Sequence, residues 1–159
     1  MKRVIFAALV AMQLASCDRR HDGELHQTFV NYDETVEAAV TKAGFDRTAT
    51  GLFDGLGKSQ NGTGRQTVWM RLAPARFNNL YLEYELGQGY RRADARELVA
   101  FAAQHPDAMP TRDSVCAPGE ELARKNGGTG FPAMRGNGAI GNFHGHCRWI
   151  LKVHYAPPG

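Results

Sequence analysis

Apolar residues recur at spacings of three and four across one long segment near the N-terminus: Leu25, Phe29, Tyr32, Val36, Ala39, Val40 and Ala43. This is the stripe of an amphipathic helix and predicts one over residues 24–43, with Gly44 as its stop. Two later segments alternate instead. Val68, Met70 and Leu72 point one way and Trp69 and Arg71 the other, while Leu80, Leu82, Tyr84 and Leu86 oppose Tyr81, Glu83 and Glu85. Joined through "PARFNN", the two predict an antiparallel hairpin with Arg71 facing Glu83 or Glu85. A third alternation sets Trp149, Leu151, Val153 and Tyr155 on one face of a strand over residues 148–155. A weaker strand is expected over residues 45–53, followed by the turn-rich "DGLGKSQNGTG".

Asp94 and Glu97 have the spacing of a capping box, and Ala95, Leu98, Val99 and Ala102 form the buried stripe of the helix behind it. Pro106 limits that helix near His105. "PGEELARKNGG" reads as a further short helix, with acids in its first turn, Lys125 in its last and glycines after it. Residues 127–145 hold seven glycines in 19 positions and no clear period, which reads as a long loop. The elements together predict an α+β fold: an N-terminal helix, an antiparallel sheet of three or four strands with helices packed on it, and that glycine-rich loop stapled by a disulfide. Nothing resembling a repeat or linker interrupts residues 24–159, which are expected to form one globular domain.

The chain's start changes the picture. Lys2 and Arg3 precede an apolar run over residues 4–15 broken only by Gln13, the composition of an export signal. The run is shorter than the ~20 residues a membrane-spanning helix needs, so residues 1–16 are expected to be cleaved. "LASC", residues 14–17, resembles the lipobox of bacterial lipoprotein precursors. The resemblance covers the first 17 residues and implies that Cys17 carries covalent lipid and becomes the first mature residue. Residues 17–23 would then be the lipidated cysteine and a short tether, holding the domain against a cell-envelope membrane on its periplasmic side. Asp18 resembles the residue that retains such proteins in the inner membrane of enteric bacteria, and the choice between inner and outer membrane stays open.

Cleavage removes Lys2 and Arg3, lowering 19 basic residues to 17 against 16 acidic ones. The basic balance therefore belongs partly to the signal, and no basic run interleaved with aromatics remains to suggest nucleic acid. With Cys17 acylated, Cys116 and Cys147 are left as a pair in an oxidising compartment, which predicts a disulfide. Its closure is worth about 3.5 kcal/mol in the chain-entropy model.

Candidate chemistry is sparse. "GNGAIG", residues 136–141, satisfies GxGxxG in letters, but a loop is expected before it and a strand soon after it, and no acidic residue occurs after Gly141 to hold a ribose. Ser114 beside Asp113 lacks a GxSxG elbow, a bridged Cys116 is no nucleophile, and Glu83 with Glu85 lacks an apolar pocket to separate two carboxylate pKa values. No enzyme activity and no cofactor beyond the lipid on Cys17 are expected. His144 and His146 in "HGHC" alternate as paired ligands do, and with His154 they could form a zinc or copper site. Phe131, Met134, Arg135, Ile140 and Phe143, carried on the 127–145 loop, have the aromatic and arginine character of residues that dominate protein interfaces. The leading expectation is a lipid-anchored, non-enzymatic module that binds another macromolecule, of the kind represented by immunity proteins and by inhibitors of toxins or wall-degrading enzymes. A metal-handling periplasmic lipoprotein and a structural accessory subunit of an envelope assembly are the alternatives.

Overall fold

The computed structural model describes residues 23–46, 61–75, 89–119, 122–123, 129–135, 138–143 and 147–155. Among them, one mixed sheet collects eight strands: β1 (His26–Asn31), β2 (Arg65–Pro74), β3 (Tyr90–Arg92), β4 (Ser114–Cys116), β5 (Leu122–Ala123), β6 (Thr129–Arg135), β7 (Ile140–Phe143) and β8 (Trp149–His154). Two α-helices accompany it, α1 (Val36–Ala43) and α2 (Ala95–Gln104). The expected α+β arrangement, with a sheet of three or four antiparallel strands, is thus corrected to a sheet-dominated fold in which strands outnumber helices.

The main error lies at the N-terminus, where the helix expected over residues 24–43 is a strand, a turn and a short helix. Thr28 and Val30 are buried while Gln27 and Phe29 are exposed, a period of two that β-branched residues favour. At the turn, the Asp33 N–H meets Asn31 Oδ1 at 3.3 Å, and Thr35 caps α1 by accepting the Ala38 N–H at 3.2 Å. These side-chain bonds to backbone compete with helix continuation. The apparent stripe from Leu25 to Ala43 therefore crosses three local structures. Gly44 does end α1, at φ +73°, where its missing Cβ removes the usual left-handed penalty.

The strand order is β1-β2-β8-β4-β6-β5, with β3 also on β8 and β7 also on β6. β8 pairs with β2 along one edge and takes both β3 and β4 on the other, β4 in parallel. Residues 127–145 hold a hairpin instead of a structureless loop: β6 and β7 pair from Phe131↔Phe143 to Met134↔Ile140, turning at Gly138, φ +82°. Of "PGEELARKNGG", the described Leu122–Ala123 is a strand against β6, which corrects the expected short helix there. Asp46 makes one parallel bridge to Ala139. The partner strand expected over residues 80–86 lies outside the described residues.

The alternation read in β2 holds. Met70 and Leu72 face Val153 and Leu151 of β8, and these four join Val30, Val40, Leu98 and Phe101 in the buried core beneath the helices. The predicted capping box of α2 is complete, with Asp94 accepting the Glu97 N–H and Glu97 accepting the Asp94 N–H. Cys116 and Cys147 are disulfide-bonded, tying β4 to the residues that enter β8. Among the described residues no helix is long and apolar enough to cross a membrane.

Candidate functional site

The junction of β1, α1 and α2 is held by a buried polar knot. Glu97 is fully buried on the first turn of α2, and its two carboxylate oxygens receive five donors. Arg91 of β3 spans both, with Nη2 at 2.6 Å from Oε1 and Nη1 at 3.0 Å from Oε2. The Tyr32 hydroxyl donates to Oε1, Asn61 Nδ2 reaches Oε2 at 3.3 Å, and the Asp94 N–H reaches Oε2 at 2.8 Å. Burial pushes the Glu97 carboxyl up, with the Arg91 and Tyr32 hydrogen bonds opposing it and the Asp94 charge adding to it. Burial, with Glu97 beside it, likewise holds the Tyr32 phenol above its ordinary value. A carboxylate saturated in this way and closed to solvent has no free lone pair to offer a substrate, so the knot is architecture.

On the surface of that junction lies a groove of about 270 Å³. Val30, Ala39, Val99 and Ala100 make its apolar floor, and small side chains at those helix positions leave the space open. Phe29, Gln104, Glu34 and Lys42 stand around it. Phe29 is 53% exposed, one of two large apolar side chains so exposed among the described residues, the other being Tyr155. Lys42 Nζ is 4.0 Å from Glu34 Oε1, and the buried Arg96 donates through Nε to the Glu34 carbonyl at 2.7 Å. Among the described residues, no serine, cysteine or histidine lines the groove. It offers an apolar seat with charge at the rim, of a size that suits a side chain.

The opposite face of the sheet is packed. Arg71, Lys152 and Arg92 form one row across β2, β8 and β3, and Lys152 Nζ sits 4.5 Å from the centroid of the Tyr90 ring, Arg71 Cζ 5.7 Å from it. Lys152 is buried, and all three cations make further interactions. His154, one of the three histidines considered as metal ligands, is edge-on to Tyr90 at 4.7 Å. His144 and His146 lie outside the described residues, as does Cys17, and among the described residues no three His, Cys, Asp or Glu side chains group as a metal site.

The residues expected to bind a partner are divided by the hairpin. Met134 and Ile140 are buried in the core, Phe131 is half-buried, and Arg135 is exposed; the side chain of Phe143 is outside the described set. The hydrophobic period hides the groove because it runs Phe29 into a helix stripe. The alternation of Gln27, Thr28, Phe29 and Val30 was the available signal. No protein family, curated protein or solved structure matches the chain.

Proposed function

We propose that the chain is a lipid-anchored protein of the bacterial cell envelope, acting as a non-enzymatic module that binds another protein, in the class of immunity proteins and inhibitors of toxins or wall-degrading enzymes. The address rests on the signal-like N-terminus and "LASC", and the Cys116–Cys147 bridge suits an oxidising compartment. The observation that carries the binding role is Phe29, a large apolar side chain held out on a rigid strand beside an apolar groove. Interfaces concentrate their energy in aromatic anchors and the pockets next to them. A short tether keeps this surface close to the membrane, where an incoming toxin or a wall enzyme is met.

The test uses full-length protein in its own envelope. A photo-crosslinking residue is placed at Phe29 and, as a control, at the exposed Arg65 on the same sheet. The reading expects lipid on Cys17 by intact mass. It also expects one polypeptide captured at position 29 but not 65, and loss of that capture when Ala103, which lines the groove, is replaced by tryptophan to fill it. An unlipidated Cys17, or equal capture at the two positions, would refute it.

A further inference from the structure

β1 begins the strand order, so one of its edges has no strand partner among the described residues. In antiparallel pairing, alternate residues turn both backbone groups away from the neighbour, and on β1 these are Gln27, Phe29 and Asn31. Side chains from the end of α2 close that edge. Gln104 Nε2 donates to the Phe29 carbonyl at 2.8 Å and Oε1 accepts the Phe29 N–H at 2.9 Å, the same two-bond exchange a neighbouring strand would make. His105 Nε2 lies 3.0 Å from the Gln27 carbonyl and 3.2 Å from Thr28 Oγ1. The Asn31 carbonyl accepts from the Glu34 N–H at 3.3 Å.

His105 does not make this contact from open water. Its ring centroid is 4.7 Å from that of His26 on β1 and 5.2 Å from Phe101, and His26 stands edge-on to Phe101 at 5.6 Å. Two imidazoles therefore share one apolar ring. Burial depresses the His105 pKa below its ordinary value, His26 depresses it further, and the Gln27 carbonyl opposes both. The carbonyls at the end of α2 also favour a cation. Among the described residues, the charged groups nearest in sequence to His26 and His105 are Glu24 and Asp107, both exposed.

We propose that Gln104 and His105, with His26 packed against the His105 ring, form an acid-released clasp over the sheet edge, closed while His105 is neutral and opened when it is protonated. Opening lifts the end of α2 from β1 and bares the outward backbone groups of Gln27 and Phe29. The sign follows from linkage. A histidine with a folded value below the unfolded one near 6.5 stabilises the closed form above about pH 6.5, and that stabilisation is lost as pH falls through the folded value. Because Phe29 and Gln104 also wall the groove, acid would loosen that surface too, but the clasp does not depend on any partner.

The experiment is amide hydrogen exchange followed by NMR on the disulfide-bonded protein from pH 7.5 to 5.0, corrected for intrinsic rates. Opening at the Phe29 amide should rise about tenfold per pH unit below about 6.5, levelling off once His105 titrates in the closed form, while the Thr28 amide, turned toward β2, stays protected. His26→Phe keeps a ring against Phe101 but removes the second influence that depresses His105, and should lessen the rise. Gln104→Ala should expose the Phe29 amide about tenfold more even at pH 7.5. A pH-independent Phe29 amide, a parallel loss at Thr28, or an unchanged rise in His26→Phe would each overturn the proposal.

Discussion

Replacing Arg91 with methionine probes the polar knot most sharply. The substitution keeps much of the aliphatic stem but leaves Glu97 fully buried with three neutral donors: Tyr32, Asn61 and the Asp94 N–H. Two charge-assisted hydrogen bonds disappear, at 2.6 and 3.0 Å, each worth about 1.5–3 kcal/mol. Breaking a buried ion pair from one side costs about 3–5 kcal/mol, so the two arguments agree. Against a typical stability of about 5–15 kcal/mol, that is a large share. The assay is urea unfolding followed by fluorescence of the two tryptophans, Trp69 and Trp149. A pH dependence gives the cause. Without Arg91 the chief influence opposing burial is gone, so the Glu97 carboxyl rises further above its unfolded value near 4.3. The loss is then full above the folded value and shrinks as pH falls through it, because the protonated acid tolerates burial. Arg91→Met with Glu97→Gln should recover most of the loss at pH 7. A cost below about 1 kcal/mol, or a double variant as unstable as the two single losses added, would refute the account of Glu97 as a charge held by Arg91.

Other consequences can be checked in the same way. Cys116→Ala with Cys147→Ala should lower stability by about 3.5 kcal/mol without changing the fold, read by urea midpoint and circular dichroism. Met134→Ala should cost about 2–5 kcal/mol as a core truncation, whereas Arg135→Ala one position on should stay within about 0.5 kcal/mol; thermal melts separate them. Gly119→Ala puts a Cβ 2.6 Å from the Ala93 carbonyl oxygen, which already accepts the Gly119 N–H at 2.8 Å. It should therefore lower the melting temperature, while Gly141→Ala, with open space around it, should change it far less.

Local rules carried the reading where one kind of contact decides the outcome. Asp94 and Glu97 specify their capping box within four residues, and the alternation of β2 and β8 reflects a sheet with a buried helix side. The cysteine pair followed from counting. Phe29 failed because a stripe at spacings of three and four also arises when a strand, a turn and a helix each contribute a few apolar residues. Distinguishing them needs the Asn31 and Thr35 side-chain bonds, which act over two or three positions and leave no mark in a hydrophobic period. The β6–β7 hairpin was hidden for another reason. Its glycines suggested a loop, yet cross-strand pairing to β4 and β5 holds β6 in place, and such long-range pairing is invisible along the chain. Phe29 as an anchor, Gln104 as a surrogate strand and His105 as its neighbour all depend on residues more than seventy positions apart meeting at one edge.

The position of β8 bears on how the chain is made. Synthesis runs from the N-terminus, and β1, β2, β3, β4 and β6 all emerge before Trp149–His154. Yet β8 lies between β2 on one edge and β3 and β4 on the other, so the last of the described strands to leave the ribosome is the wedge that unites the two sides of the sheet. Until it arrives, β2 and β4 each present an edge awaiting the same partner. Such late, non-local closure is slow to fold and sets a natural delay before the native sheet can exist.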